Sequence, residues 1–168
     1  MSIAFNIMMN LPPDDIYSGL RLRPSIARMF GVRCGRDCFI RRHIHFEHHK
    51  NIVIGANVFL FGWSYLDALA SITIGNDVRF GPGLTIITGN HQIGQPELRA
   101  SGTFGEPIVI GDGCWIGARV TIGPGVRIGA GSVVSIGAVV QRSMPANSLI
   151  AGNPARPISQ LDHRNGSV

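Results

Sequence analysis

The fold is decided by the stretch "IGDGCWIGARVTIGPGVRIGAGSVVSIGAVVQRSMP", residues 110–145. An aliphatic residue returns at every sixth position, six times without a slip, and glycine or serine follows the first five. These hexad positions are Ile110, Ile116, Ile122, Ile128, Val134 and Val140. A period of six fits neither an α-helix nor one continuous strand. It predicts a short strand followed by a corner, so that three repeats close a triangular coil and stacked coils form a parallel β-helix.

An earlier block of the chain keeps the same period, with hexad positions at Ile54, Leu60, Ile74, Phe80 and Ile86. The six-residue repeat is interrupted across residues 88–107, which we expect to form a loop that projects from the β-helix. We therefore expect a helical or extended segment at 1–49 that leads into the first coil, the β-helix at 50–158, and a C-terminal tail at 159–168. Short helices are expected within residues 12–31. The prolines that follow the last hexad predict an irregular C-terminal cap.

Composition and charge narrow the possible functions. Apolar residues make up 45% and charged residues 15% of the 168 residues, which argues against disorder. The odd number of cysteines, three, fits a reducing compartment and predicts a cytoplasmic protein. Seven of the fourteen arginines lie in residues 21–42, a basic segment suited to a phosphorylated ligand or an anionic membrane. Basic and aromatic residues do not interleave in a nucleic-acid-binding pattern, so no nucleic-acid partner is expected.

The repeat, followed by "MPANSLIAGNPAR" at residues 144–156, resembles the hexapeptide-repeat acyltransferases. It is most similar to the maltose and galactoside O-acetyltransferases and to the O-acetyltransferases of capsule and lipopolysaccharide. The resemblance covers roughly residues 50–158. It implies a left-handed β-helix, a homotrimer with active sites between subunits, acetyl-CoA as the donor substrate, and no required metal. The acceptor that it implies is a carbohydrate: a sugar, a polysaccharide or a lipid-linked glycan.

The same resemblance gives the interruption of the repeat a catalytic role. The stretch "TGNHQIG", residues 88–94, matches the family's "TG…H" motif, which implies that His91 is the catalytic base. Moving an acetyl group from a thioester to an alcohol requires the removal of one proton as oxygen attacks carbon. A neutral imidazole can accept that proton at neutral pH. A hydrogen-bond donor must then stabilise the tetrahedral intermediate.

Positions for the two substrates also follow from the resemblance. The residues expected to bind the coenzyme are Ala118, Ile136, Gln141, Arg142 and Arg156. The residues expected to bind the acceptor are Asn90, Trp115, Asp67 and Phe61. The two arginines suit the phosphates of the coenzyme, because a guanidinium group can donate two parallel hydrogen bonds. Aromatic residues around Phe61 favour a glycan larger than a simple galactoside.

Two other functions remain open from the sequence. The stretch "RRHIHFEHHK", residues 41–50, contains His43, His45, His48 and His49. The gap between His43 and His48 is typical of metal ligands and favours a zinc hydratase like the γ-type carbonic anhydrases, although the order of the histidines departs from that family. The second alternative is a non-enzymatic scaffold that contacts a membrane through its N-terminal segment. The basic residues of that contact would be Arg21, Arg23, Arg28, Arg33 and Arg36.

Overall fold

The predicted parallel β-helix is confirmed by the computed structural model, which describes residues 2–161. Five coils of three strands each are present within residues 33–140. The first two coils contain β1 (Arg33–Cys34), β2 (Phe39–Ile40), β3 (Ile44–Glu47), β4 (Ile52–Ile54), β5 (Phe59–Leu60) and β6 (Ser64–Asp67). The third coil contains β7 (Ile72–Ile74), β8 (Arg79–Phe80) and β9 (Thr85–Ile87).

A hairpin of two antiparallel strands, β10 (Gly89–Ile93) and β11 (Ala100–Gly105), separates the third coil from the fourth. The last two coils contain β12 (Ile108–Ile110), β13 (Trp115–Ile116), β14 (Thr121–Ile122), β15 (Arg127–Ile128), β16 (Val133–Val134) and β17 (Val139–Val140). The last two strands in the described residues are β18 (Ser148–Gly152) and β19 (Ala155–Gln160), which pair antiparallel. Most of the predicted tail at 159–168 lies outside the described residues.

Stacking of the coils produces three sheets, which form the faces of the prism. Face A contains β1, β4, β7, β12 and β15, and face C contains β3, β6, β9, β14 and β17. Face B contains β2, β5, β8, β13 and β16 and continues through β18 to β19. Neighbouring coils pair in parallel, as the hexad repeat requires. Each face therefore presents one column of outward side chains along the length of the prism.

The hexad residues form the core between the faces. All six positions from Ile110 to Val140 are at most 2% exposed, and Cys114 is also buried there as a small core residue. Corners between strands come into close contact from coil to coil. A side chain at Gly117 would place its Cβ 2.6 Å from the backbone nitrogen of Ile136, so only glycine fits that corner.

The N-terminal cap, residues 2–32, covers the open edge of the first coil. It contains helix α1 (Ser2–Asn10), a π-helical turn (Ser18–Leu22) and helix α2 (Arg23–Met29). The Asn6 amide bonds to both the N–H and the carbonyl of Phe46 in β3, each at 2.9 Å, as a further strand would. The cap thereby provides hydrogen-bond partners for a strand edge that could otherwise pair with other chains.

The first coil begins at Arg33, earlier than the boundary at residue 50 that the sequence predicts. Its hexad positions are Cys34, Ile40 and Phe46, which pair with Ile54, Leu60 and Leu66 of the second coil. Glycine follows only the first of them, and that residue is a cysteine rather than an aliphatic residue. The first coil therefore lacks the aliphatic–glycine pairs that mark the later coils.

Arg23 is fully buried in the cap, which corrects its predicted place in an exposed basic surface. Its guanidinium group donates hydrogen bonds to the carbonyls of Met9, Ile40, Pro12 and Pro13, at 2.7 to 3.3 Å. These bonds join the loop after α1 to the first coil. Among the described residues, no helix has both the length and the apolar character needed to span a bilayer.

Candidate active site

His91 lies on the hairpin that projects between the third and fourth coils. It pairs with Thr103 across the two strands, and both side chains are exposed. The Nδ1 atom of the His91 ring is 3.3 Å from the Thr103 hydroxyl. The backbone N–H of His91 donates to the Asn90 side-chain oxygen at 2.9 Å. A protonated Nδ1 can donate to Thr103, which leaves the lone pair of Nε2 free to accept a proton. Thr103 was not singled out from the sequence.

The foot of the hairpin is fixed to the body of the β-helix by Thr88. This side chain is fully buried, its hydroxyl donates to the Asp67 carbonyl at 3.0 Å, and it accepts the Ala70 N–H at 2.9 Å. The Asp67 carboxylate lies beside Gly89, where a Cβ atom would be 3.2 Å from one of its oxygens. The other oxygen of that carboxylate is 3.2 Å from His48 Nδ1. Asp67, predicted to bind the acceptor, is therefore at the foot of the hairpin and already has a partner.

A groove of about 490 Å³ runs along face C beside the hairpin. Asn90, predicted for the acceptor, and Gln141, predicted for the coenzyme, both line it. Its floor includes Thr121 of β14 and Val139 of β17, and Glu106 lies at its border with the hairpin. The structure thus brings one residue from each predicted substrate set into a single groove beside the hairpin, although His91 itself does not line it.

The corners between faces B and C, hereafter the B–C edge, hold two of the predicted coenzyme residues. Ala118 and Ile136 occupy this edge in consecutive coils, and the Gly137 N–H donates to the Ala118 carbonyl at 2.9 Å. Ile136 is 73% exposed. Phe61 lies on the same edge two coils earlier, in a smaller groove of about 210 Å³ that Trp63 also lines. Phe61 does not line the groove that contains Asn90 in the same chain.

Three further predicted residues are exposed at separate places on the surface. Trp115 lies on face B between Arg79 and Val133 and is 55% exposed. Arg142 follows β17, and Arg156 lies in β19, where its Nη1 donates to the Ala155 carbonyl. Neither arginine forms a salt bridge within residues 2–161. Within one chain, Trp115 lies on a different face from the groove beside His91.

The histidine cluster is dispersed by the fold. His43 stacks on Trp63 with ring centroids 4.3 Å apart, whereas His49 is buried against Phe5 at 4.2 Å. Burial lowers the pKa of His49, which favours a neutral imidazole in the core. His43 and His48 lie at opposite ends of β3. Among the described residues, one group could hold a metal ion, with ligand atoms within 4.8 Å of one another, and it consists of Glu47, His48 and Asp67.

Comparison with known proteins agrees with this architecture. The family model described as "Bacterial transferase hexapeptide (six repeats)" matches residues 107–142. The galactoside O-acetyltransferase of Escherichia coli (strain K12) is 33% identical over 150 residues, which are 88% of this chain and 73% of that protein.

Two solved structures are similar over almost the whole chain. One is a hexapeptide-repeat-containing acetyltransferase of Vibrio cholerae O1 biovar eltor in complex with acetyl coenzyme A (TM-score 0.85, 31% identity, covering 96% of this chain and 85% of that one). The other is a maltose O-acetyltransferase of Clostridium difficile 630 (TM-score 0.81, 29% identity, covering 96% and 85%). The extent of these similarities confirms the relationship that the repeat predicts. The chain belongs to the hexapeptide-repeat acetyltransferases.

Proposed function

We propose that this acetyltransferase moves an acetyl group from acetyl-CoA to a hydroxyl of a carbohydrate, with His91 as the general base. The observation that carries the proposal is the pairing of His91 with Thr103 on an exposed hairpin, next to a groove lined by Asn90 and Gln141. The similarity to a protein solved with acetyl-CoA supports the donor. The similarities to a galactoside and a maltose O-acetyltransferase support a carbohydrate acceptor.

His91 would act through Nε2 while Nδ1–H donates to Thr103. Nε2 removes the proton of the acceptor hydroxyl as its oxygen attacks the thioester carbonyl, and a tetrahedral intermediate forms. The intermediate collapses, the carbon–sulfur bond breaks, and the imidazolium returns the proton to the departing thiolate. The products are the acetyl ester and free coenzyme A. A positioned general base of this kind contributes about 10²–10⁴-fold to the rate.

The coenzyme would lie along the B–C edge and the adjoining end of face C. Ala118 and Ile136 provide stacked corners for its pantetheine arm. Gln141 is placed to contact it from the groove beside His91. The exposed guanidinium groups of Arg142 and Arg156 are suited to its phosphates.

The active unit would be a homotrimer with each site between two subunits. Ile93 of the hairpin is 88% exposed, and Leu98 and Phe104 are also exposed, so the hairpin presents apolar side chains that its own chain does not cover. A neighbouring subunit would bury them and bring Trp115 or Phe61 of one protomer towards His91 of the next. These aromatic residues suit stacking on a glycan. The three free cysteines favour the cytoplasm as its location.

The test is release of coenzyme A from acetyl-CoA in the presence of a panel of sugars, oligosaccharides and lipid-linked glycans. We expect turnover with at least one of them, and we expect His91→Gln to lower kcat by about 10²–10⁴-fold while acetyl-CoA still binds. His45→Gln is the matched control, since His45 is also exposed but lies outside the hairpin. Arg142→Ala and Arg156→Ala should weaken acetyl-CoA binding in calorimetric titration.

The opposite results would overturn the proposal. Failure to bind acetyl-CoA would remove the donor, and full activity of His91→Gln would remove the base. A chelator added to the same assay separates the zinc alternative, because the mechanism through His91 predicts unchanged turnover after metal removal.

A further inference from the structure

We propose that the outer surface of the N-terminal cap docks on an anionic lipid bilayer. The first observation is charge. Residues 2–42, which comprise the cap and the adjoining part of the first coil, contain seven arginines and three aspartates, a net charge of +4 in a chain whose formal net charge is +5. Arg23 is buried and Arg41 binds Asp14. Of the other five, four are exposed: Arg21, Arg28, Arg33 and Arg36.

Three of those arginines meet at one surface cavity. Arg21, Arg28 and Arg36 line an open cavity of about 480 Å³ where α2 faces the first coil, together with Asp37. None of the three forms a salt bridge with another residue in the range 2–161. The cavity therefore holds three guanidinium groups against one carboxylate. Guanidinium groups grouped in this way are suited to a phosphate, whose oxygens can each accept hydrogen bonds.

Local structure holds the cavity open in this form. Arg28 donates from Nε to the Cys34 carbonyl at 2.9 Å and from Nη2 to the Gly35 carbonyl, so its guanidinium group is fixed against the first coil. The Ser25 hydroxyl donates to the Arg21 carbonyl, one helical turn earlier, at 2.7 Å. Guanidinium groups that are already held in place lose little conformational freedom when an anionic group binds.

Apolar side chains border the same cavity. Leu20 lines it. Leu22 directly follows Arg21, and Met29 directly follows Arg28, so each lies beside a cavity arginine on the same helical turn. All three are exposed, and Met29 is 69% exposed. Of the seventeen large apolar side chains that are exposed in the described chain, nine lie in the cap. The cap thus exposes apolar and cationic groups side by side.

Helix α1 carries a second exposed apolar stripe elsewhere on the cap, where Ile3 lines a separate cavity with His45 and Glu47 of β3. Ile3, Ile7 and Leu11 are spaced four residues apart and exposed, whereas Phe5 and Met9 on the other side of the helix are buried. The helix itself, "SIAFNIMMN", carries no charged residue. An exposed stripe of this kind is costly in water and requires a cover.

A bilayer with anionic headgroups fits both features at once. The apolar side chains would enter the boundary between headgroups and acyl chains, and the arginines would contact lipid phosphates. A second copy of this surface is a poor occupant, because two net-positive surfaces would face each other. The inference does not depend on the acceptor or on His91.

The test is co-sedimentation of the full chain with vesicles of phosphatidylcholine alone and of phosphatidylcholine mixed with phosphatidylglycerol. We expect binding to the mixed vesicles only, and a several-fold smaller bound fraction in high salt, because salt screens the arginines. Arg21→Glu should weaken the partition coefficient by about tenfold or more. Arg127→Glu is the matched control, since Arg127 is exposed on face A of the last coil. Met29→Gln leaves the charge unchanged and should also weaken binding.

Three results would overturn the inference. They are equal binding to neutral vesicles, an Arg127→Glu effect as large as that of Arg21→Glu, and self-association of the full chain in light scattering that Met29→Gln abolishes. The last result would identify the surface as an interface between copies. Acetyl-CoA titration of the same variants separates this inference from the proposed function, because a chain that fails to bind vesicles should still bind acetyl-CoA.

Discussion

The coils bury their hexad side chains, whereas the hairpin that interrupts them exposes its side chains. In the coils, the hexad residues from Ile110 to Val140 are at most 2% exposed. In the hairpin, every residue at positions 90–93 and 100–105 is exposed. Burial of apolar surface is the main source of folding stability, so the coils supply it and the hairpin does not. The coils therefore account for the fold, and the proposed function gives the chemistry to the exposed hairpin.

The hairpin is an insertion that leaves the stacking of the coils unchanged. Before it, Ile86 pairs with Ile122 of the next coil. After it, Ile110 pairs with Ile128, only six positions beyond Ile122. Ile86 and Ile110 are 24 positions apart, so removal of the 18 residues 89–106 would restore the hexad. The hairpin can therefore vary without a change of register in the coils.

The largest effect on stability is expected from the coils. Ile110→Ala removes a buried side chain of face A and should lower the free energy of unfolding by about 2–5 kcal/mol. Ile158→Ala makes the same change at a position that is exposed in β19, and should cost less than about 0.5 kcal/mol. Urea unfolding followed by circular dichroism measures both. Equal losses for the two variants would contradict the role given to the hexad core.

The foot of the hairpin should show an intermediate effect that is local. Thr88→Val keeps the shape of the side chain but removes the hydroxyl that accepts the Ala70 N–H, while the Asp67 carbonyl retains only the backbone N–H of residue 88. We expect a loss of about 1–3 kcal/mol. It should appear mainly as faster hydrogen exchange of the hairpin amides, together with slower acetyl transfer. Thr73→Val, on β7 of face A, is the control and should change neither the exchange of the hairpin amides nor the rate of acetyl transfer. If Thr88→Val instead accelerated exchange uniformly throughout the chain, the hairpin and the coils would unfold together.

The smallest effect is expected within the hairpin and should concern the reaction alone. Thr103→Val removes the hydroxyl that lies 3.3 Å from His91 Nδ1. Loss of this one hydrogen bond should lower kcat by about tenfold, with KM and the free energy of unfolding unchanged. Thr103→Ser retains a hydroxyl and should recover most of the rate. A Val variant as active as the Ser variant would show that Thr103 does not position the imidazole.

The sequence predicted the coils well because each hexad residue is determined by its own short neighbourhood. A buried aliphatic residue and a glycine corner are visible in six consecutive letters. The candidate site is only partly visible in the sequence. His91 stands out because it interrupts the repeat, but Thr103 is twelve residues away, and its contact with His91 depends on the register of the hairpin.

The N-terminal part of the chain was harder to predict for a related reason. The hexad positions of the first coil are Cys34, Ile40 and Phe46, and the last two are followed by charged residues instead of glycine, so the repeat is not visible there. Arg23 was grouped with the surface arginines because its burial depends on four carbonyls brought together from the loop and the first coil. The four histidines are separated because only His45 lies within a strand. His43 and His48 occupy left-handed positions at the two ends of β3, and His49 lies in a 3-10 turn that packs on Phe5.

The most direct measurement uses a variant that lacks residues 89–106. The restored hexad predicts a cooperative thermal transition and a β-rich circular dichroism spectrum, because the coils do not require the hairpin in order to stack. The same variant should release no coenzyme A from acetyl-CoA above background, since it has lost His91. A variant that fails to fold would contradict the independence of the coils, and one that still transfers acetyl groups would contradict the assignment of the chemistry to the hairpin.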